Sequence, residues 1–183
     1  MDVIETGIPD VRIVAPRRFG DARGWFSETW NRRAFAQLGL ELDFVQDNQS
    51  LSGPAGTVRA LHFQTPPRAQ DKLVRVLRGA IIDVAVDVRR NSPSFGRHVA
   101  VELDAAEGRW LLVPKGFAHG FCTLKPDTEV LFKVTDYYSP MNERGIAWDD
   151  PDLGIGWPVS PDEAHLAERD KCQPRLADIL SPF

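Results

Sequence analysis

The stretch VRALHFQTPPRAQDKLVRVLRGAIIDVAVDV, residues 58–88, contains three short apolar segments separated by turn-forming residues. Its last segment, residues 80–88, alternates between two faces, with Val84, Val86 and Val88 on one and Asp83, Ala85 and Asp87 on the other. A period of two is the pattern of a β-strand, whose successive side chains point to opposite faces. The segments 58–64 and 72–77 are also short, apolar and bounded by turn signals, so we predict three consecutive strands.

The same pattern extends over the rest of the chain. Residues 98–103, 109–114 and 129–134 are further strand candidates, and many short strands at such spacing indicate an all-β sandwich or barrel. Helix is scarce. Residues 31–39 begin with Asn and end with Gly, which predicts about two helical turns. Residues 160–171 open with Ser160, Pro161 and Glu163, a capping pattern that predicts a short C-terminal helix.

Length and composition exclude several classes of protein. The 183 residues are 43% hydrophobic and 26% charged, which is typical of a globular chain, and we expect a single domain over residues 1–183. A net charge of -4 gives no basic footprint for nucleic acid. No 18-residue apolar run and no signal peptide occur, so we expect no membrane association. Cys122 and Cys172 lack metal-type spacing, and a reduced, cytoplasmic protein is the expectation.

Two histidines stand in segments that resemble the paired motifs of cupin jelly rolls, in which a transition metal lies inside the barrel. The positions that match the cupin metal ligands are His62, Gln64, Lys72 and His119. A lysine ammonium is charged and has no free acceptor, and an amide oxygen is a poor ligand for zinc or iron. The pattern therefore favours a cupin-like barrel without a metal and without another cofactor.

Without a metal, His62 and Lys72 suit proton abstraction next to a carbonyl group. The imidazole removes the proton, and the ammonium stabilises the oxygen on which enolate charge develops. A carboxylate would orient the imidazole and stabilise its protonated form. Asp83, from an adjacent predicted strand, and Asp170, from the predicted C-terminal helix, are both candidates for that carboxylate.

Five stretches, in order, resemble the dTDP-4-dehydrorhamnose 3,5-epimerases, which are metal-free cupins. They are FGDARGWFSETW (19–30), QDNQSLS (46–52), the segment 58–96, PKGFAHGF (114–121) and WDDPDLGIGWP (148–158). The resemblance implies a cofactor-independent isomerase that inverts C3 and C5 of a dTDP-4-keto-6-deoxyhexose and supplies dTDP-rhamnose for cell-wall polysaccharide or O-antigen. It also implies a jelly-roll homodimer in which N-terminal strands are exchanged between subunits.

The resemblance also implies roles for individual residues. His62 is the base that removes the C3 and C5 protons, Asp170 pairs with it, and Lys72 supports the enolate. Tyr138 stacks on the thymine. The other positions that match substrate contacts are Arg23, Phe26, Glu28, Gln46, Asp47, Asn48, Arg59, His119, Glu143 and Arg169. Simple alternation places Arg59 and His62 on opposite faces of their strand, so either a bulge intervenes or Arg59 reaches round the strand edge.

The stretch VLFKVTDYY, residues 130–138, departs from the family pattern. Alternation places Phe132 and Tyr138 on one face and Tyr137 on the other. The family has tyrosine at position 132, where its hydroxyl acts as the acid that returns a proton to the opposite face of the sugar. Phenylalanine has no such proton. The sequence leaves four alternatives. Water or another hydroxyl supplies the proton in place of the tyrosine, only one stereocentre is inverted, turnover is slow, or the Phe132 ring serves only in packing and the acid is not required.

Three hypotheses follow for the function. The first is the 3,5-epimerase, with a 3-only epimerase or a related ketoisomerase as the alternative that Phe132 raises. The second is a metal-dependent cupin isomerase or dioxygenase, which would contain bound iron, manganese or zinc. The third is a non-catalytic protein that binds sugar nucleotides and exchanges no substrate protons.

Overall fold

The computed structural model describes residues 1–183 and contains thirteen β-strands and one short α-helix. Most strands are followed by another strand after a short turn, as the alternating pattern predicts. The strands are β1 (Asp2–Glu5), β2 (Arg12–Ala15), β3 (Phe19–Asp21), β4 (Gly24–Phe26), β5 (Gln46–Ser52), β6 (Val58–Gln64), β7 (Lys72–Arg78), β8 (Ala80–Asp87), β9 (His98–Asp104), β10 (Trp110–Val113), β11 (Phe117–Thr123), β12 (Thr128–Val134) and β13 (Glu143–Gly145).

Two antiparallel sheets form the body of the molecule. One has six strands in the order β1-β2-β10-β7-β12-β5, and the other has five in the order β13-β6-β11-β8-β9. A separate hairpin, β3–β4, belongs to neither sheet. All strand pairs are antiparallel, and neighbours in each sheet are often distant in sequence. This arrangement confirms the all-β, jelly-roll barrel predicted from the sequence.

Apolar side chains fill three layers. A central cluster of 14 buried residues draws on both sheets, including Val74 from β7, Ala85 from β8 and Val130 from β12. The outer face of the five-stranded sheet is covered by C-terminal residues such as Trp148 and Leu176. A third cluster, around Trp110, covers the outer face of the six-stranded sheet. Both faces of both sheets are therefore buried over much of their area, which holds the two sheets in a fixed relation.

The α-helix, α1 (Arg32–Gln37), lies where the sequence predicts it. The side chain of Asn31 accepts hydrogen bonds from the backbone N–H groups of Arg33 and Ala34, at 3.0 and 3.2 Å. Gly39 follows the helix with φ of 74°, the left-handed conformation that commonly ends helices. No helix of the chain is long and apolar enough to cross a membrane.

The helix predicted over residues 160–171 does not form, and this prediction is wrong. Residues 160–163 make a turn in which Ser160 Oγ donates to Glu163, and only residues 168–170 form one turn of 3-10 helix. The backbone of His165 instead bonds to the chain next to β6, since its N–H donates to Gly56 and its carbonyl accepts from Val58. Because these backbone groups of His165 bond to another part of the chain, they are not available for the i→i−4 hydrogen bonds of a helix. Tertiary pairing therefore overrides the local capping signal.

The segment 114–121 is mostly strand. Residues 117–123 form β11, which lies in the middle of the five-stranded sheet and is buried at every position. Its glycine has a structural purpose, because a Cβ on Gly120 would lie 2.4 Å from the Cβ of Ala60 on β6. The missing side chain therefore lets the two strands approach.

A bulge in β6 opposite Gly120 resolves the position of Arg59. His119 pairs with His62 and Phe121 pairs with Arg59, so β6 has one more residue than β11 between the two pairs. The extra residue makes Ala60 and Leu61 both face the outer apolar cluster. As a result Arg59 and His62 lie on the same side of the sheet, which is the first of the two explanations considered for Arg59.

We predict that Gly120→Ala lowers the free energy of unfolding by about 1–3 kcal/mol, because the added methyl group must displace Ala60 and widen the contact between β6 and β11. Urea denaturation followed by circular dichroism measures the change. Gly156→Ala is the matched control, since no atom lies within 4 Å of the position its Cβ would take. Equal effects of the two substitutions would contradict this account of the bulge.

Candidate functional site

A cavity of about 800 Å³ opens between the two sheets at the end of the barrel where β5, β6, β7 and β12 meet. One wall belongs to the five-stranded sheet and carries His62 and His119, and the other belongs to the six-stranded sheet and carries Lys72 and Phe132. The segment 164–171 closes one side. Of the residues predicted from the sequence, the lining includes His62, Lys72, Phe132, Asp170, Gln46, Asn48, Arg59, His119, Tyr138, Glu143 and Arg169.

His62 and Asp170 face each other at the base of this cavity. The His62 Nε2 atom lies 3.0 Å from Asp170 Oδ1, and Asp170 is only 3% exposed. The contact is an ion pair rather than a directed hydrogen bond, and Asp170 Oδ1 also lies 3.6 Å from Arg169 Nε. Asp170 comes from the 3-10 turn at residues 168–170, which is some hundred positions from His62 in the chain. A buried carboxylate in this place fixes the orientation of the imidazole ring.

Lys72 extends from the opposite wall towards the histidine. Its Nζ donates a hydrogen bond of 3.2 Å to the backbone carbonyl oxygen of His62. Burial lowers the pKa of the Lys72 ammonium to about 8, against the attraction of the Asp83 and Glu143 carboxylates, which raises it. The group therefore stays mostly protonated at neutral pH. In a water-poor cavity such a cation strongly stabilises a nearby oxyanion.

Asp83 serves the second histidine rather than the first. His119 Nε2 lies 2.6 Å from Asp83 Oδ1, and both residues are buried. Of the two carboxylates considered for His62, the structure therefore brings Asp170 to it and places Asp83 on His119. The cavity thus contains two separate carboxylate–histidine pairs, one on β6 and one on β11.

Glu143 connects the mouth of the cavity to His62. Its Oε1 lies 3.9 Å from His62 Nδ1, and its Oε2 accepts a 2.8 Å hydrogen bond from the Tyr138 hydroxyl. Arg169 Nη1 approaches the same oxygen at 3.4 Å. The hydrogen bond to Glu143 raises the pKa of Tyr138, which keeps its hydroxyl protonated. The three side chains form a polar network beside the imidazole.

Strand β5 lines the cavity along its whole length, with every residue except Asp47. Gln46 accepts from the backbone N–H of Tyr138 at 3.2 Å and donates to Asn48 at 2.8 Å. Arg59 lies near the same strand, where its guanidinium donates to Ser52 Oγ and to the Leu51 carbonyl oxygen, each at 3.3 Å. These amide and guanidinium groups give this side of the cavity donors suited to an anionic ligand.

Phe132 lines the cavity from β12, directly beside Asn48 on β5, and it also packs against the central apolar cluster. Tyr138 lines the cavity as well, although β12 ends at Val134 and the alternation of a strand no longer applies there. Tyr137 does not line this cavity and is 60% exposed, so it points into solvent rather than into the structure.

Four of the predicted substrate contacts lie outside the cavity of this chain. Asp47 faces the other side of β5 and forms an ion pair of 2.9 Å with Lys133, because neighbouring strand residues point to opposite faces. The other three lie on or just after the β3–β4 hairpin, which projects from the barrel. Arg23 pairs with Asp21 at 2.6 Å, Glu28 accepts from Asn31, and Phe26 is 71% exposed.

Several polar residues of the site are not predicted from the sequence. The amide of Gln64, which matches a cupin metal-ligand position, accepts from the Ser139 N–H at 2.7 Å and donates to the Tyr137 carbonyl oxygen at 3.2 Å. It therefore holds the loop that carries Tyr138. Ser50 also lines the cavity, with a buried hydroxyl that makes no hydrogen bond. Alternation along β5 was the available signal, since Gln46, Asn48 and Ser50 share one face.

The side chains available as metal ligands do not favour the hypothesis of a metal-dependent cupin. Within residues 1–183, no group of three or more His, Cys, Asp or Glu side chains is arranged to hold a metal ion. Of the four positions that match the cupin ligands, two hold the amide of Gln64 and the ammonium of Lys72, which are engaged with backbone groups.

Comparison with known proteins gives a consistent result. The sequence model of the family described as dTDP-4-dehydrorhamnose 3,5-epimerase matches residues 5–178. A protein of that name from Sinorhizobium fredii is 51% identical over 176 residues, which cover 96% of this chain and 90% of the relative.

Solved structures agree with the sequence matches. The crystal structure of dTDP-4-dehydrorhamnose 3,5-epimerase from Bacillus anthracis with TDP and PPi bound has a TM-score of 0.92 at 49% identity, covering 95% of this chain and 98% of that one. The corresponding 3,5-epimerase from Legionella pneumophila, in complex with dTDP-4-keto-L-rhamnose, has a TM-score of 0.92 at 41% identity, covering 97% and 94%.

We predict a specific pH dependence of stability from Lys72. Its folded pKa of about 8 lies below the ordinary value of 10.5, so the unfolded chain binds more protons between these two pH values. Stability of the native chain should therefore rise over this range, relative to Lys72→Met. Below pH 8 the methionine variant should be more stable by of order 3 kcal/mol, and the difference should vanish near pH 10.5. Urea titrations at several pH values test this, and a difference independent of pH would contradict it.

Proposed function

The chain belongs to the dTDP-4-dehydrorhamnose 3,5-epimerase family, and we propose that it converts dTDP-4-dehydro-6-deoxy-D-glucose to dTDP-4-dehydro-L-rhamnose in the cavity built around His62. The observation that carries the proposal is the arrangement at its base, where Asp170 lies 3.0 Å from one nitrogen of His62 and Lys72 approaches from the opposite wall. A base, its orienting carboxylate and a cation for the enolate are the groups that this isomerisation needs.

Proton abstraction is the first step. The C4 ketone acidifies the C–H bonds at C3 and C5, because the negative charge left behind is delocalised onto the carbonyl oxygen. Asp170 occupies the Nε2 side of His62, so Nδ1 is the nitrogen available to the sugar. The imidazole takes the proton and becomes an imidazolium, which Asp170 stabilises.

Stabilisation of the enolate falls to Lys72. Its ammonium is held beside the His62 carbonyl oxygen and remains protonated at neutral pH, so it can donate to the C4 oxygen as charge develops there. His119, fixed by Asp83, lines the same region and contributes a further polar contact to the sugar. The reaction needs no cofactor in this scheme, since the ketone itself is the electron sink.

The nucleotide occupies the outer part of the cavity. Tyr138 offers a flat ring at the mouth, and base stacking on such a ring contributes about 1–3 kcal/mol. Arg59 and Arg169 supply positive charge for the diphosphate, and Gln46 and Asn48 supply amide groups beside them. The Bacillus anthracis relative, which was crystallised with TDP and PPi, supports a thymidine diphosphate ligand.

The β3–β4 hairpin serves a second subunit in this proposal. Arg23, Phe26 and Glu28 match substrate contacts of the family, yet in a single chain they project away from the cavity and are exposed. A homodimer with exchanged N-terminal strands would bring the three residues into the partner's cavity and bury the apolar rings of Trp25 and Phe26, which are 55% and 71% exposed. Asp47 remains on the outer face of β5, where a partner could contact it.

The two cysteines support a cytoplasmic location. Cys122 is buried and Cys172 is exposed, and both are unpaired. Free thiols are typical of the reducing cytoplasm, where we place the reaction.

Because Phe132 has no hydroxyl, it cannot be the donor that returns a proton to the opposite face of the sugar. We propose that solvent in the cavity returns this proton, next to the Phe132 ring and the free hydroxyl of Ser50. The 3-only epimerase is not favoured, because the relatives that are 41–51% identical to this chain are named as 3,5-epimerases, whereas a 3'-monoepimerase from Streptomyces bikiniensis is only 33% identical.

Incubation with the substrate in D₂O should place deuterium at both C3 and C5. His62→Asn should abolish both exchanges while dTDP binding persists, because it removes the base and keeps the shape of the cavity. Label at C3 alone would support the 3-epimerase instead. Absence of label from the native protein, together with dTDP binding, would support a non-catalytic binding protein.

Phe132→Tyr tests the missing hydroxyl. A phenol on the wall opposite His62 would act as a general acid, so we expect kcat to rise, by up to about 10²–10⁴-fold if return of the proton limits turnover. Ser50→Ala is the companion variant, made in the native protein and in Phe132→Tyr. It should lower kcat more in the native protein than in the Phe132→Tyr background. An unchanged kcat in Phe132→Tyr would show that another group already supplies the proton efficiently.

Subunit mixing tests the exchanged hairpin. Arg23→Ala and His62→Ala homodimers should each be nearly inactive, but dissociation and reassociation of a mixture should restore activity, since one site of each mixed dimer then contains both native residues. Mixing His62→Ala with Lys72→Ala is the control and should restore nothing, because those residues line one cavity of one chain. No recovery in the first mixture would contradict the exchange.

A further inference from the structure

A second cavity lies behind His62. It has a volume of about 570 Å³ and is separated from the main cavity by residues that line both, His62, Phe63, Glu143 and Arg169. The rest of its lining comes from the turn after β6, from β13 and from the C-terminal segment around residues 173–182. We call it the rear cavity. The proposed catalytic base thus has an open space on each of two sides.

The rear cavity is accessible to solvent from the side away from the substrate. Its rim includes Arg144, Pro174 and Pro182, which are exposed, and Leu180, which is 86% exposed. Water can therefore reach Glu143 by this route while a nucleotide-sugar fills the main cavity.

Double inversion places a demand on His62 that a single inversion does not. After the first abstraction the imidazole carries the proton that came from the sugar, and the new proton on the opposite face comes from elsewhere. The second abstraction requires a neutral imidazole, so His62 must lose its proton while the sugar is still bound. This requirement rests on the function proposed above.

The surroundings of His62 leave one route for that proton. On the Nε2 side stands Asp170, which is 3% exposed and borders only the main cavity, so with the substrate in place a proton passed there would not reach solvent. On the Nδ1 side stands Glu143 Oε1, at 3.9 Å, a distance that a small side-chain movement or one water molecule spans. Glu143 is held on its other oxygen by Tyr138 and Arg169, and it borders the rear cavity.

We propose that Glu143 relays the proton from His62 to solvent in the rear cavity between the two inversions. The Nδ1–H bond of the imidazolium breaks, a Glu143 oxygen takes the proton, and water in the rear cavity then accepts it. His62 is again neutral and Glu143 is again a carboxylate, so the pair is ready for the second abstraction. Glu143 is thus a catalytic residue for the second inversion as well as a neighbour of the bound nucleotide.

Glu143→Gln tests the relay, because it keeps the size and hydrogen-bonding capacity of the side chain but cannot accept the proton. The first inversion should continue, while the second becomes slow and the singly inverted sugar nucleotide is released. We expect the ratio of singly to doubly inverted product to rise by about 10²-fold, the lower end of what positioned proton transfer contributes. Quenched-flow sampling with NMR of the products measures the ratio.

Buffer dependence separates a relay from a loss of binding. Imidazole or formate added at increasing concentration should restore the second inversion in Glu143→Gln and leave the native protein unaffected, because a small acid–base pair in the rear cavity replaces the carboxylate. A purely structural or binding role would slow both inversions together, change KM and show no rescue. That result would overturn the proposal.

Two further variants test whether the effect of Glu143→Gln depends on the carboxylate and on access to the rear cavity. Arg144→Gln also removes a charge from the rear cavity, where its guanidinium only donates to the Met141 and Glu143 carbonyl oxygens, and it should leave the product ratio unchanged. Leu180→Trp narrows the exposed rim without touching the main cavity and should raise the ratio. Unchanged ratios in both Glu143→Gln and Leu180→Trp would refute the relay, whereas absence of any inversion in the native protein would refute the proposed function itself.

Discussion

The close approach of β6 and β11 at Gly120 determines which side chains of β6 face the cavity. Because Gly120 has no Cβ, Ala60 can lie against it, and β6 can contain one residue more than β11 between two aligned pairs. The bulge turns Ala60 and Leu61 together towards the outer apolar cluster. Arg59 and His62 then share the inner face, so one local distortion sets both a base and a cation in the same cavity.

The two sheets divide the chemistry between them. The five-stranded sheet presents two histidines, each fixed by a carboxylate, while the six-stranded sheet presents Lys72. The central apolar cluster begins directly behind these groups and excludes water from one side of them. In such surroundings the ammonium of Lys72 is costly to keep charged, as its lowered pKa shows, and for the same reason it acts strongly on an oxyanion.

Phe132 and Glu143 make the two proton transfers of the proposed reaction, delivery to the sugar and removal from His62, depend on different groups. The wall opposite His62 carries a ring without a hydroxyl, so the return of a proton depends on solvent or on small polar neighbours such as Ser50. The base, in contrast, has a carboxylate between it and an open rear cavity. Removal of a proton from the base and delivery of a proton to the sugar therefore follow different routes, which suits a reaction that inverts each centre through opposite faces.

The sequence by itself determined the elements whose signals are local. Alternation predicted the strands over 58–64, 72–77 and 80–88, and Asn31 with Gly39 predicted α1, because side-chain periodicity and capping depend only on near neighbours. Residue chemistry, with the family resemblance, also identified His62 as the base.

Only the tertiary structure decided what depends on distant neighbours. The capping pattern at 160–171 failed because the backbone of His165 pairs beside β6, and the histidine segment 114–121 became a buried strand because β6 and β8 flank it. Residue chemistry alone left Asp83 and Asp170 as candidate partners of His62, and the family resemblance favoured Asp170; the path of the C-terminal segment across the barrel is what brings Asp170 to His62. Such contacts join residues far apart in the chain, and the geometry that brings them together belongs to the packed sheets rather than to any local stretch of sequence.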